Sequence, residues 1–196
     1  MNTFLNLTVY GLSDGAILAL AALGFVLIYK STGVINFAQG EFLLIGAYTL
    51  YAAFVVFRLP MVVSVLVGVL FAIVVGVVIE RLVLRPLIGE NPISVIMVTL
   101  GLAALLRAVV QLIFGTRPVP QPPLLPRTPV ELLPDTSVPL NRLLVILIAA
   151  VVLAAFTLFF TRSRHGIAMR AVADDQQAAL TMGISVRRIF AMAWAM

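Results

Sequence analysis

The sequence predicts an all-α fold, a polytopic transmembrane helical bundle, and three observations carry that prediction. The chain is 62% hydrophobic and only 11% charged, with a mean hydropathy of +1.15; a soluble domain is about half apolar and about a quarter charged. A chain this poor in charge cannot cover its surface in water. Apolar stretches approaching or reaching the roughly 20 residues that a helix needs to cross hydrocarbon recur along it, and the arginines fall at the ends of those stretches.

The first stretch runs over about 9–29 and ends at Lys30. No Lys or Arg precedes it, whereas a secretory signal carries a basic leader, so it reads as a retained span. Gly11, Gly15 and Ala19 recur along it at the small-residue spacing that lets helices approach closely. The second stretch, 42–57, is short and closes at Arg58 and Pro60. The third, 61–79, ends at Glu80 and Arg81; the fourth, 93–114, holds Arg107 and Gln111 near its end. The fifth, 143–160, stops at Arg162 and Arg164, and a sixth apolar run opens near Phe190. Backbone groups in lipid must be satisfied within the element, which leaves helices or closed barrels. Barrel strands alternate in polarity, and runs such as Val77-Val78-Ile79 do not.

Arginine placement gives the orientation. Between 161 and 190, Arg162, Arg164, Arg170, Arg187 and Arg188 face only Asp174 and Asp175, so this loop is expected in the cytoplasm. Walking back through five spans puts Arg81, Arg85 and Lys30 inside, and the N-terminus and 115–142 outside. That outer loop holds eight of the eleven prolines. Proline fixes φ and removes a donor, so the loop is expected to be a stiff, extended connector with little helix. It reads either as a passive linker or as a platform for an external partner.

Several chemistries are excluded. The chain has no cysteine and one histidine, His165, beside Arg164 at a helix end. It carries no zinc-protease, serine-hydrolase or phosphate-loop motif, so no enzyme activity is expected and it cannot itself cradle ATP. The net charge of +5 lies at span ends and shows no basic stripe for nucleic acid.

Two polar segments remain. Residues 31–41, Ser-Thr-Gly-Val-Ile-Asn-Phe-Ala-Gln-Gly-Glu, break the apolar pattern just before the short second span. Such a break is either an interruption lining a water-filled path at membrane depth or an ordinary cytoplasmic turn with Glu41 favourable at a helix N-terminus. The residues alone leave both readings open. In the second segment, 166–190, Ile167, Arg170, Ala171, Asp174, Ala178 and Thr181 recur at helical spacing. Arg170 and Asp174 are placed to pair, and Gly183 stands where a left-handed helix terminator belongs. A helix, a turn and a second helix from near Ser185 are expected. They would serve as a docking element or as an amphipathic surface helix.

At these segments the chain resembles the permeases of the branched-chain amino-acid ABC importers. The strongest piece is Gly33-Val34-Ile35-Asn36-Phe37-Ala38-Gln39-Gly40-Glu41-Phe42 with Ile45-Gly46-Ala47-Tyr48, followed by Gly166 to Gly183 with Arg170-Ala171-Val172-Ala173. The likeness extends from Tyr10 onward. ABC import permeases carry a cytoplasmic Glu-Ala-Ala-x-x-x-Gly loop that presses on the ATPase; Gln177-Ala178-Ala179 and Gly183 match it, with Gln in place of the acid. The resemblance implies a single permease domain of the type II-like ABC importer fold, incomplete here and continuing in further spans. It also implies a multi-pass place in the inner membrane beside a second permease subunit. Two ABC ATPase subunits that bind the ATP and a periplasmic substrate-binding protein complete the expected partners, with no cofactor on this chain. Asn36, Gln39, Gly40 and Glu41 are expected at the substrate path or gate. Arg170, Asp174, Gln177, Ala178, Ala179 and Gly183 are expected at the ATPase coupling contact. Branched-chain amino acids are the expected cargo, with urea, short amides or other small acids as alternatives. An ion-coupled carrier would need acids deep within spans, where Asp14 and Glu80 read as near an end or at a boundary.

Overall fold

The computed structural model describes residues 2–120, 125–133 and 136–196. Five of its helices are long and apolar enough to cross a membrane. The packing falls into two compact units, Met1–Leu23 with Pro123–Ser163, and Gly24–Pro122 with Arg164–Met196.

The first unit is built from the N-terminal part of helix α1 (Asn2–Thr32), a hairpin of β1 (Pro129–Leu133) and β2 (Thr136–Pro139), and α5 (Leu140–Arg162). At 1.5 Å per residue α1 is about 46 Å long, beyond the 9–29 read from hydropathy. Asp14 is therefore well inside the helix rather than near its end. Arg142 neutralises it: the Arg142 Nη1 donates to the Asp14 carboxylate, and the guanidinium lies 4.7 Å from the Tyr10 ring centre. Part of the loop expected to be extended with little helix pairs as a hairpin. Its strands are antiparallel, with Val130 opposite Val138 and Glu131 opposite Ser137. Pro129 and Pro139 pair at its base, where a missing donor interrupts the ladder least. Other parts of the proline-rich loop, 121–124 and 134–135, lie outside the described residues.

The second unit holds the C-terminal turns of α1, α2 (Gln39–Tyr51), α3 (Met61–Ile79), α4 (Pro92–Phe114), α6 (Arg164–Asp174), α7 (Gln176–Thr181) and α8 (Val186–Ala195). The second span starts at Gln39, not 42, and loosens into a π-helical turn over Ala52–Val56. The third does not stop at Glu80. It continues through a π turn, Glu80–Leu84, and a 3-10 turn, Arg85–Leu87. Arg85 makes this continuation possible by gripping both oxygens of the fully buried Glu80 at 3.2 Å, which compensates a carboxylate taken out of water. Helix α4 opens at Asn91, whose side chain accepts from Ile93 N at 3.0 Å, the usual N-cap arrangement.

Four contacts fix the packing of this unit. The Tyr48 and Phe114 rings meet at a tilt of 45° with centroids 4.7 Å apart, and Glu41 contacts Arg107 by the same interval farther back along each helix, so α2 and α4 run in the same direction. Helix α8 crosses α3 at Gly76, where an added Cβ would overlap the Trp194 carbonyl oxygen. Trp194 in turn packs on Phe42, at 5.9 Å between ring centres.

Candidate functional site

The break after α1 turns the chain back along α1. Gly33 takes φ +72°, in the left-handed region, and its N–H still donates to Tyr29 O at 2.9 Å. It ends the helix beside Ala173 of α6, whose carbonyl oxygen lies 3.6 Å from where a Cβ would stand. Residues 34–38 then run without helix to Gln39, whose side chain packs over Gly24. Gly24 is about 12 Å back along α1 from Thr32, and five extended residues cover about 16 Å. The segment therefore climbs beside the helix it has just left. On the α4 side, Phe37 N donates to Thr99 Oγ1 at 3.4 Å, and Glu41 meets Arg107. Arg107 stands about 22 Å along α4 from Pro92 and about 10 Å from Phe114. Helix α2 therefore begins alongside the interior of α4 rather than at either of its ends.

Unwound backbone between apolar helices must find partners, and here the sequence supplies several. Thr32 Oγ1 donates to Ile28 O at 2.7 Å and accepts from Val34 N at 3.2 Å. Asn36 Oδ1 accepts from Ala38 N at 2.9 Å, an Asx turn that aims the chain into α2. Asn36 and Glu41 are both buried, and Asn36 Nδ2 and Glu41 Oε2 have no hydrogen-bond partner. Arg107 Nε donates to Glu41 Oε1 at 3.1 Å, and its Nη2 converges on the same oxygen. The pair borders an open cleft of about 400 Å³, shared with Gly40, Tyr48 and Gln111. Thus Asn36, Gln39, Gly40 and Glu41 lie on one strip, but Asn36 and Gln39 do not line this cleft. Sequence reading placed Arg107 only near a span end; its membership in the site depends on the parallel packing of α2 and α4.

The element between α5 and α8 differs from the single helix expected over Gly166 to Gly183. Asp175 adopts extended angles, φ −150° and ψ 111°, and splits the run into α6 and α7. Its Oδ1 accepts from Gln177 N at 2.8 Å and Ala178 N at 3.0 Å, capping α7. Helix α7 ends at Gly183 with φ +82°: Ile184 N donates to Ala179 O at 2.9 Å and Gly183 N to Leu180 O at 3.0 Å, the Schellman pattern. Ala179 faces inward and is 3% exposed, so it packs within the chain rather than on the outer face. Arg170, Asp174, Gln177 and Ala178 are exposed. Two further residues share that outer side of the element, Leu180 at 57% exposure and Met182 at 82%; large apolar side chains left open on a polar loop were the available signal for them. A cavity of about 570 Å³ joins the two segments, bounded by Thr32 to Ile35, by Val172 to Gln177 and by Trp194.

Comparison with known proteins agrees with this architecture. A family model described as the permease component of branched-chain amino acid transport systems matches residues 7–196. The chain is 30% identical over 200 residues to the high-affinity branched-chain amino acid transport permease BraD of Pseudomonas aeruginosa, an alignment covering 96% of this chain and 65% of that protein. It is 29% identical over 203 residues to LivH of Escherichia coli K12 and 28% identical to LivH of Salmonella typhimurium, with the same two coverages. The chain thus spans 65% of the length of the curated relatives it matches. No solved structure matches it. The family is one of transport components and not of enzymes, and with five long apolar helices among the described residues the chain is a multi-pass protein of the inner membrane. On the match across residues 7–196, the chain belongs to the family of branched-chain amino acid transport system permease components.

Proposed function

We propose that this chain is the membrane-spanning permease part of an ABC importer that carries leucine, isoleucine and valine inward. It works with a second permease subunit, two ATPase subunits that bind the ATP and a periplasmic substrate-binding protein, and itself carries no cofactor. The observation that supports this best is the cavity shared by Thr32–Ile35 and Val172–Gln177. One wall is the foot of the segment that climbs to Glu41; the other is the α6–α7 junction. A displacement of α6–α7 by a closing ATPase dimer would act directly on the base of that segment. Packed elements shift between discrete arrangements rather than deforming smoothly, so such a push can switch access from one side to the other. Asn36, Gln39, Gly40 and Glu41 form the path or gate, and Arg170, Asp174, Gln177, Ala178, Leu180 and Met182 the coupling face, with Gly183 setting its angle.

The test uses the full-length permease reconstituted with its ATPases, with and without leucine-loaded binding protein. Met182→Asp places a charge on the coupling face, and Gly183→Val costs about 1 kcal/mol or more in the left-handed conformation. Both variants are expected to insert normally and to lose stimulation of ATP hydrolysis by the loaded binding protein. Normal stimulation and uptake in both would remove the coupling role and leave α6–α7 as a surface element.

A further inference from the structure

We propose that the Glu41–Arg107 pair is a receptor for the zwitterionic head of an α-amino acid, a reading that rests on the import function above. A guanidinium that converges on a single carboxylate oxygen is an incomplete ion pair. The forked arrangement, seen here between Arg85 and Glu80, uses both oxygens. Between Arg107 and Glu41 only Oε1 is engaged, and Oε2 is buried without a donor. Glu41 is 5% exposed, while the Arg107 side chain is 64% exposed. A guanidinium so open, about 10 Å of helix short of Phe114, is costly against acyl chains and is at home facing a water-filled cleft.

The site therefore offers two unsatisfied functions side by side. The open edge of Arg107 seeks an anion, and Glu41 Oε2 seeks a cationic or neutral donor. An α-amino acid carries a carboxylate and an ammonium on one carbon and satisfies both at once; a simple anion or a simple cation satisfies one and leaves the other exposed. The adjoining cleft, about 400 Å³, also presents Leu44, Tyr48 and Val110, apolar surface for a hydrocarbon side chain. That volume lies in the range of small-molecule sites. Gln111 and Thr116 add polar groups at the same cleft. Neither charge of the pair is spare in this scheme: each holds the other in place until the ligand divides them.

The experiment measures binding to the full permease–ATPase complex in lipid nanodiscs without the binding protein. Its probes are leucine, leucinol, which lacks the carboxylate, and 4-methylpentanoate, which lacks the ammonium. The wild type should prefer leucine to both by about tenfold or more, the loss of one charge-assisted hydrogen bond. Arg107→Gln should abolish the preference over leucinol, and Glu41→Gln the preference over 4-methylpentanoate. Should either variant fail to insert, Arg107→Lys keeps the charge and the pairing with Glu41 but loses the second edge, and should weaken leucine binding about tenfold. ATP-driven leucine uptake by the wild-type complex with leucine binding indifferent to Arg107→Lys, or equal binding of the three probes, overturns the receptor and spares the import reading. Absence of ATP-driven leucine uptake by the wild type overturns the import reading, and the receptor with it.

Discussion

Arg107 Nε donates to Glu41 Oε1 across 66 positions of sequence, and this pair ties the start of α2 to the C-terminal half of α4. Truncating the acid leaves a guanidinium at membrane depth with its main partner gone. In the full-length complex, Glu41→Ala is expected to lower leucine uptake by about tenfold or more while the amount of inserted permease stays unchanged. Uptake assays normalised to immunoblotted membrane protein read this out. Unchanged uptake would return 31–41 to the status of a plain connecting turn.

Asp175 is the cap that makes two helices out of one run. Replacing a capping Asp by Ala costs about 1 kcal/mol, and α7 spans only Gln176–Thr181, so the loss falls on the whole helix. Asp175→Ala is expected to reduce ATPase stimulation by loaded binding protein, and Asp175→Asn, which can still accept from the two N–H groups, to retain it. Equal stimulation in both variants would show that the cap does not set the coupling geometry.

Gly76 admits the Trp194 carbonyl between α3 and α8, and the obstructing atom is backbone, which cannot rotate away. Gly76→Leu is expected to separate the helices at a cost of about 1–3 kcal/mol or more, lowering the thermal midpoint of the purified permease. Gly68→Leu, about two turns earlier in α3 and in open space, is the control and should leave the midpoint unchanged. A normal midpoint for Gly76→Leu would mean that α8 is not held in this position.

Because the chain has no cysteine, single cysteines report topology cleanly. A cysteine at Gln176 is expected to react with an impermeant maleimide only after the inner membrane is opened, and one at Glu131 to react in intact spheroplasts. The reverse pattern would invert the orientation read from the arginines.

The sequence by itself determined the solvent, the number of apolar spans and the position of the polar breaks. These follow from local quantities: transfer of side chains into lipid, the length of a helix that crosses it, and the φ preferences of Gly33 and Gly183. It also marked 31–41 and 166–183 as the informative segments, because polar residues between spans are costly wherever they are not exposed to water. The sequence could not tell a surface turn from a return into the membrane, since both readings contain the same glycine, Asn36 and Glu41. What packing adds is the course of the segment back along α1, through Gln39 against Gly24, Phe37 against Thr99 and Glu41 against Arg107. The inward face of Ala179, the cap at Asp175 and the pairing of Asp14 with Arg142 were likewise settled in three dimensions. Each depends on which distant backbone or charge arrives beside the residue, and periodicity along the chain carries no information about partners that arrive from another helix.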